Sequence, residues 1–456
     1  MESLQVEEPP RPSRRRSWPP DPANRQRRNS SIVVKGRSSS VALHDAASRM
    51  STCVYLQTSG LSVTQATLVA FNSAVGSTVA LVGYYPSQSG WQAFAVIMLV
   101  VAITAMAQQS ALISTSCQLG AGTFDELCQP LPIWSGRVTV ASFLLYYWGC
   151  LGFYAQFVEV FLADQLCHLL CQSGSPWLCQ SEHRLGLLVF LLLAVVSWPP
   201  QLSGTAAVFI NNMNFLVKWV VIVTAVAKGV YTVISVDAER DYVAWAPSGF
   251  VRIACLLMSS YANTGIMPQI AADVDKSQQE RAAKLCPVIA VSLQLLVYFA
   301  VAYSAYFALG DAVKTGVFAT YNKIYPGYMT VILQGGMALL TFLSSPLLII
   351  PLKAQIYGLL SPRSDGEAAD LSQAPSSLQG GLTLSLAFTG AIAPCIVGPE
   401  AFTNFLFFLA CTCGNWLNFF LPAMVVLYCQ VLSPSYKGGK SLATFLCCWL
   451  FFLGGL

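Results

Sequence analysis

The chain has 456 residues, 55% of them hydrophobic and only 10% charged, with a mean hydropathy of +0.58. A soluble globular chain carries roughly 25% charged residues, so this composition excludes a single aqueous fold and points to an all-α polytopic membrane protein. The net charge of +4 is unevenly placed: residues 1–50 hold 10 Lys and Arg against 5 Asp and Glu, and the rest of the chain is nearly balanced.

Residues 1–58 form a tail rich in Pro, Arg and Ser. It lacks the apolar run of a secretory signal peptide, and its acids and repeated prolines are foreign to a transit peptide. The tail reads as a disordered cytosolic arm, and its charge as a topology signal rather than a nucleic-acid-binding surface. Residues 59–456 are the transmembrane domain.

Eleven apolar runs of about 17–25 residues lie near 62–85, 91–115, 138–163, 185–203, 206–236, 251–272, 286–309, 328–359, 381–397, 400–430 and 441–456. They are numbered here as spans 1 to 11. With the tail cytosolic, the inner loops gain Arg137, Lys276, Arg281, Lys284, Lys353, Arg363, Lys437 and Lys440, against Arg184, Arg240, Lys314 and Lys323 outside. That asymmetry supports a cytosolic N-terminus. Eleven crossings then place the C-terminus outside or in a lumen.

Span 1, SVTQATLVAFNSAVGSTVALVGYYP, carries Asn72, Ser73, Gly76, Ser77, Thr78 and Gly83 where a simple anchor would be Leu, Ile and Val. Backbone groups in hydrocarbon need partners, so a helix this weak is tolerated only beside protein or a water-filled cavity. Discontinuous helices of this kind build ligand sites at the bilayer midplane. A break exposes N–H groups of the outer half to a carboxylate, helped by the positive end of that half-helix. The freed carbonyls suit a cation or an ammonium group, so a zwitterion fits better than a sugar.

The loop after span 2, CQLGAGTFDELCQPLPIWSG, reads as an interfacial connecting helix. Glu159 lies toward the outer end of span 3, where vestibule solvation or proton carriage are the two readings. The following loop gathers Cys167, Cys171 and Cys179. Two of these suffice for a disulfide and one is left over. His168 and His183 lie nearby, but no CxxC spacing accompanies them, so no metal is expected. Most other cysteines fall within spans as small buried hydrophobes.

Lys218 lies about twelve residues into span 5. An ionisable residue at that depth is by default a functional hypothesis. It reads either as a tethered cation replacing sodium, as part of a proton relay, or as a structural pairing or snorkelling side chain. Span 6 is interrupted by Ser259, Ser260, Asn263, Thr264 and Gly265, followed by Pro268. A second interruption five spans after the first is what an inverted five-span repeat gives. In span 8, Ser344 and Ser345 precede Pro346, as cation ligands or as partners for carbonyls that the proline frees. Residues 361–380 read as a flexible linker. No catalytic motif of an enzyme is present, and no catalytic residue is assigned.

In order along the chain, Asn72-Ser73-Ala74-Val75-Gly76-Ser77-Thr78, Gly90-Trp91, Pro268, Tyr306-Phe307-Ala308-Leu309-Gly310-Asp311, and Ser345-Pro346 with Pro351-Leu352-Lys353 resemble motifs of the amino acid/auxin permease family. The resemblance covers about residues 60–456. It implies two inverted five-helix repeats plus one extra helix, with helices 1 and 6 discontinuous, moving amino acids by alternating access. It places Asn72 and Ser344 where sodium-coupled members hold their cation. It sets Ser73, Gly76, Ser77 and Thr78 beside the substrate, with span 6 residues Ser259, Asn263 and Thr264. Three features depart from the family pattern: Thr78 ends the glycine-serine motif, VALVGYYP follows it, and Asn263 stands where a histidine is frequent.

The expected function is therefore amino acid transport coupled to Na+ or H+, with no other cofactor. The expected setting is the lipid bilayer of a plasma membrane or a vacuolar or lysosomal-type membrane. The alternatives are an amino acid sensor that binds substrate and signals through the tail without flux, and a channel or structural membrane protein. Polar residues converging on two broken helices favour transport.

Overall fold

A computed structural model describes residues 62–120, 133–166, 205–236, 240–261, 266–314, 316–360 and 376–432, with Leu127, Leu131 and Leu188 as isolated positions. The tail, the cysteine loop, span 11 and, apart from Leu188, span 4 lie outside the described residues. Those described form helices. Seven are long and apolar enough to cross a membrane, and the bent pair of span 1 makes an eighth.

Span 1 opens on a capping box. Ser62 Oγ accepts from the Gln65 backbone N–H at 3.3 Å, and Gln65 Oε1 accepts from the Ser62 N–H at 3.0 Å, satisfying two donors that a helix start leaves unpaired. The α-helix Val63–Ala74 stops at Val75, whose backbone is extended. Two 3-10 turns, Ser77–Ala80 and Val82–Tyr84, and a short helix Tyr85–Ser89 follow. The two halves bend by 52°. Gly90, at φ +83, then reverses the chain into span 2, Trp91–Leu119.

Span 6 is also divided, into Phe250–Ser260 and Met267–Asp273, with Pro268 in the first turn of the second piece. Proline fits there because the first turn of a helix needs no N–H from it. The unbroken spans are 3 (Ile133–Phe161), 5 (Thr205–Ser235), 7 (Gln279–Leu309), 8 (Tyr328–Leu360) and 9 (Ser376–Val397). Span 10 runs Pro399–Leu409, through π turns Ala410–Gly414 and Trp416–Phe420, to Leu421–Leu432.

The buried side chains sort into groups. The largest joins spans 1, 2, 5, 6, 7 and 10 through residues such as Phe71, Phe94, Val221, Leu257, Tyr298 and Phe419, and takes in Phe153 of span 3 and Leu333, Met337 and Leu340 of span 8. Two smaller clusters pack span 3 with spans 8 and 9, one around Ala155, Ala338 and Ala387, the other around Phe143, Leu151, Ile349 and Leu386. Small residues set the close contacts, as expected where lipid gives helices no hydrophobic drive to associate. A Cβ on Gly229 would lie 2.5 Å from the Ser304 carbonyl oxygen of span 7, and one on Gly83 would lie 2.7 Å from Ala305. The broken spans thus share the largest packing group.

Candidate functional site

Asn72 lies in the last turn of the helix Val63–Ala74, and its backbone carbonyl and side-chain Oδ1 both face span 5. Lys218 Nζ donates to each, reaching Oδ1 at 2.9 Å. Lys218 is 3% exposed, so these bonds solvate an ammonium that lipid cannot. One turn earlier on the same face of span 5, Asn214 Nδ2 donates to Ser344 Oγ of span 8 at 3.1 Å. Span 5 therefore connects both oxygens expected from the resemblance as cation ligands, Asn72 to Lys218 and Ser344 to Asn214.

Beyond Asn72 the break opens. Among the described residues, leaving aside its chain neighbours, nothing lies within 4 Å of the position a Cβ would take on Gly76. Ser77 begins the first 3-10 turn. Ser73 Oγ donates to its own turn, to the Ala70 carbonyl at 2.9 Å.

The break in span 6 is held from the opposite side. The Ser260 carbonyl accepts from Gln294 Nε2 at 2.8 Å and from Tyr298 Oη at 3.3 Å, and the Tyr261 carbonyl accepts from Gln109 Nε2 at 3.2 Å. Tyr298 Oη also lies 3.5 Å from the Ala74 carbonyl. One tyrosine on span 7 thus touches the broken ends of both discontinuous spans. Ser259 Oγ and Ser260 Oγ donate back to the Leu256 carbonyl at 2.8 and 2.7 Å, which leaves oxygen lone pairs to accept from a ligand. A Cβ on Gly414 of span 10 would come within 3.2 Å of Ser259 Cβ and 3.1 Å of the Tyr146 ring of span 3. Spans 3, 6 and 10 meet there. Asn263 and Thr264 lie outside the described residues, as does the Ser77 side chain.

A family model for transmembrane amino acid transporter proteins matches residues 59–456. The chain belongs to that family. No curated protein matches this transporter in sequence. Its fold is shared with solved membrane transporters. Mhp1, a nucleobase-cation-symport-1 family transporter in a closed conformation with bromovinylhydantoin bound, is similar at TM-score 0.54 and 11% identity, covering 87% of this chain and 90% of that one. An inward-facing Mhp1 matches at 0.54 and 12%, with the same coverage. MhsT in complex with L-phenylalanine matches at 0.51 and 14%, covering 88% and 100%. The fold is all-α, with inverted five-span repeats whose first spans are the broken ones. Spans 2 to 5, an even number, lie between spans 1 and 6, so in this fold the two run in opposite directions across the bilayer.

Asn214, Gln109, Gln294 and Tyr298 were not singled out by the sequence, although each carries a signal. Asn214 sits four residues before Lys218 and Gln294 four before Tyr298, the spacing that shares a helix face. Gln109 and its neighbour Gln108 are adjacent amides in the middle of span 2.

Proposed function

We propose that the transporter moves a zwitterionic amino acid through the breaks of spans 1 and 6 by alternating access, and that it is coupled to protons rather than to sodium. The observation that carries the coupling is the pair of bonds from Lys218 to Asn72. An ammonium seated on the span 1 carbonyl and amide oxygen supplies the positive charge that a bound sodium ion would bring to the same oxygens. A lysine can gain and release a proton as its surroundings change between conformations, whereas a fixed cation cannot.

The substrate reading draws on the open space beside Gly76. Backbone N–H groups of Gly76, Ser77 and Thr78 are suited to the carboxylate, and the positive end of a helical segment favours it. The hydroxyl oxygens of Ser73 and Ser259, with their protons already committed to carbonyls, suit the ammonium. The family resemblance adds Asn263 and Thr264 of span 6 to this reading. Asn72, Ser344 and Lys218 form the coupling site, and no enzymatic step is involved.

The test is uptake of labelled amino acids into proteoliposomes with a proton or a sodium gradient imposed in turn. Accumulation driven by the inward proton gradient alone is the expected result. Accumulation that follows only sodium would overturn the coupling, and saturable binding without uptake under either gradient would favour a sensor.

A further inference from the structure

We propose that Gln108 is a positioning residue of the transport cycle: from span 2 it supplies the hydrogen bond that Pro422 removes from span 10, and so sets the angle of a hinge beside the candidate site. The role in the cycle rests on the transport reading; the bond itself does not. Span 10 winds as a π turn up to Phe420 and as an α-helix from Leu421. Pro422, the second residue of that α-helix, has no N–H, and its ring crowds the carbonyl four residues earlier, that of Asn418. Gln108 Nε2 donates to this carbonyl at 3.0 Å and to that of Phe419 at 2.8 Å. The amide stands in for the missing donor, as groups on neighbouring helices do where a proline interrupts a membrane helix. Gln108 is 2% exposed, so its two N–H groups are committed to span 10. Proline and a π turn are both causes of a helix bend, and here they adjoin at the place that span 2 holds.

The adjacent residue does the same for span 6. Gln109 Nε2 donates to the Tyr261 carbonyl at 3.2 Å, where the helix Phe250–Ser260 ends. Span 2 itself is one uninterrupted helix, Trp91–Leu119. Two neighbouring amides on it therefore hold the two interrupted spans that meet at Ser259 and Gly414. Gly414 lies eight residues before Pro422, and a Cβ on it would come within 3.2 Å of Ser259 Cβ. A change in the hinge angle of span 10 thus changes the room beside Ser259. Among the described residues, the hydrogen bonds of Gln108 go to span 10 and not to the candidate substrate positions. Its loss is therefore read in the rate of cycling rather than in substrate affinity.

The experiment is a double-mutant cycle of Gln108→Leu and Pro422→Ala in the full-length protein. Uptake into proteoliposomes is counted per folded transporter, and thermal unfolding is followed in detergent. Pro422→Ala returns an N–H to span 10, so the bond from Gln108 is no longer needed. Gln108→Leu alone is expected to lower turnover about tenfold, the factor that one ordinary hydrogen bond represents, with KM within about twofold of wild type. In the Pro422→Ala background the same change is expected to cost about threefold or less.

An equal loss of turnover in both backgrounds overturns the hinge, as does unchanged turnover or a raised KM at unchanged turnover. Melting temperatures that couple without coupled turnover make the bond structural only and overturn the positioning role. If Gln108→Leu alone gives no folded protein, recovery of folded protein on adding Pro422→Ala supports the bond, and failure of the pair overturns it. Gln108→Asn, whose amide falls one bond short, then supplies the turnover reading in both backgrounds. Wild-type protein without uptake under either gradient counts against the transport reading, while the thermal cycle still decides whether Gln108 replaces the bond that the proline removes.

Discussion

Lys218 and Asn72, 146 residues apart in the chain, meet where the first span breaks, with one ammonium donating to both the backbone and side-chain oxygens of a single residue. A charged side chain at the centre of a membrane helix costs about 2.5–3.5 kcal/mol on insertion scales. The broken helix offsets that cost by offering the Asn72 carbonyl and side-chain oxygens to the ammonium. The break and the lysine therefore explain each other.

Lys218→Ala tests this pairing. It removes charge-assisted bonds worth about 1.5–3 kcal/mol and so is expected to lower uptake about 10–100-fold at low sodium. Raising sodium is expected to restore part of the loss, because the vacated oxygens can then hold an external cation. Uptake at the wild-type rate with unchanged ion dependence would remove the tethered-cation role.

Asn214 and Ser344 form the second bridge from span 5, at 3.1 Å. Asn214→Ala and Ser344→Ala are each expected to weaken coupling between the driving gradient and uptake. In a double-mutant cycle the interaction energy is about 0.5–1.5 kcal/mol, read from thermal unfolding in detergent. Fully additive single effects would mean that the hydrogen bond contributes nothing to stability.

How much of this was legible follows from where the information resides. The breaks could be read because Gly76, Ser77, Thr78, Gly265 and Pro268 are local signals of a helix that cannot continue. Lys218 could be read because burying a charge is costly in any fold. Its partner could not, since pairing across 146 residues depends on how span 5 rotates against span 1. Span 7 begins at Gln279 rather than near 286 because QERAAKL is a polar sequence that still favours helix, strengthened by Lys284 donating to Glu280 at 2.6 Å. The π turns of span 10 carry no breaker in ACTCGNWLNFF apart from Gly414, so apolar periodicity gave no sign of them.

Gln294 and Tyr298 hold the break of span 6, and their bond lengths rank them. Gln294→Leu leaves the Ser260 carbonyl without its 2.8 Å donor and is expected to cost about 1–3 kcal/mol. Tyr298→Phe removes contacts of 3.3 and 3.5 Å and should cost less. Melting temperatures of the two variants in one detergent check the order. A larger loss for Tyr298→Phe would mean that linking the ends of spans 1 and 6 outweighs capping either one.

Gly229 offers a test of the packing itself. Its missing side chain lets span 5 approach span 7 so closely that an added Cβ would sit 2.5 Å from the Ser304 carbonyl oxygen and 2.6 Å from Ser304 Cβ. Backbone cannot rotate away as a side-chain tip can, so Gly229→Val must push the helices apart. Overpacking of this kind costs about 1–3 kcal/mol, and span 5 carries Lys218 on the same helix. The variant is therefore expected to lose both thermal stability and uptake. Gly76→Ala, placed where no described residue beyond its chain neighbours lies within 4 Å, is expected to keep the stability and reduce uptake alone. Equal stability loss in the two variants would show that the space beside Gly76 is filled by protein and unavailable to substrate.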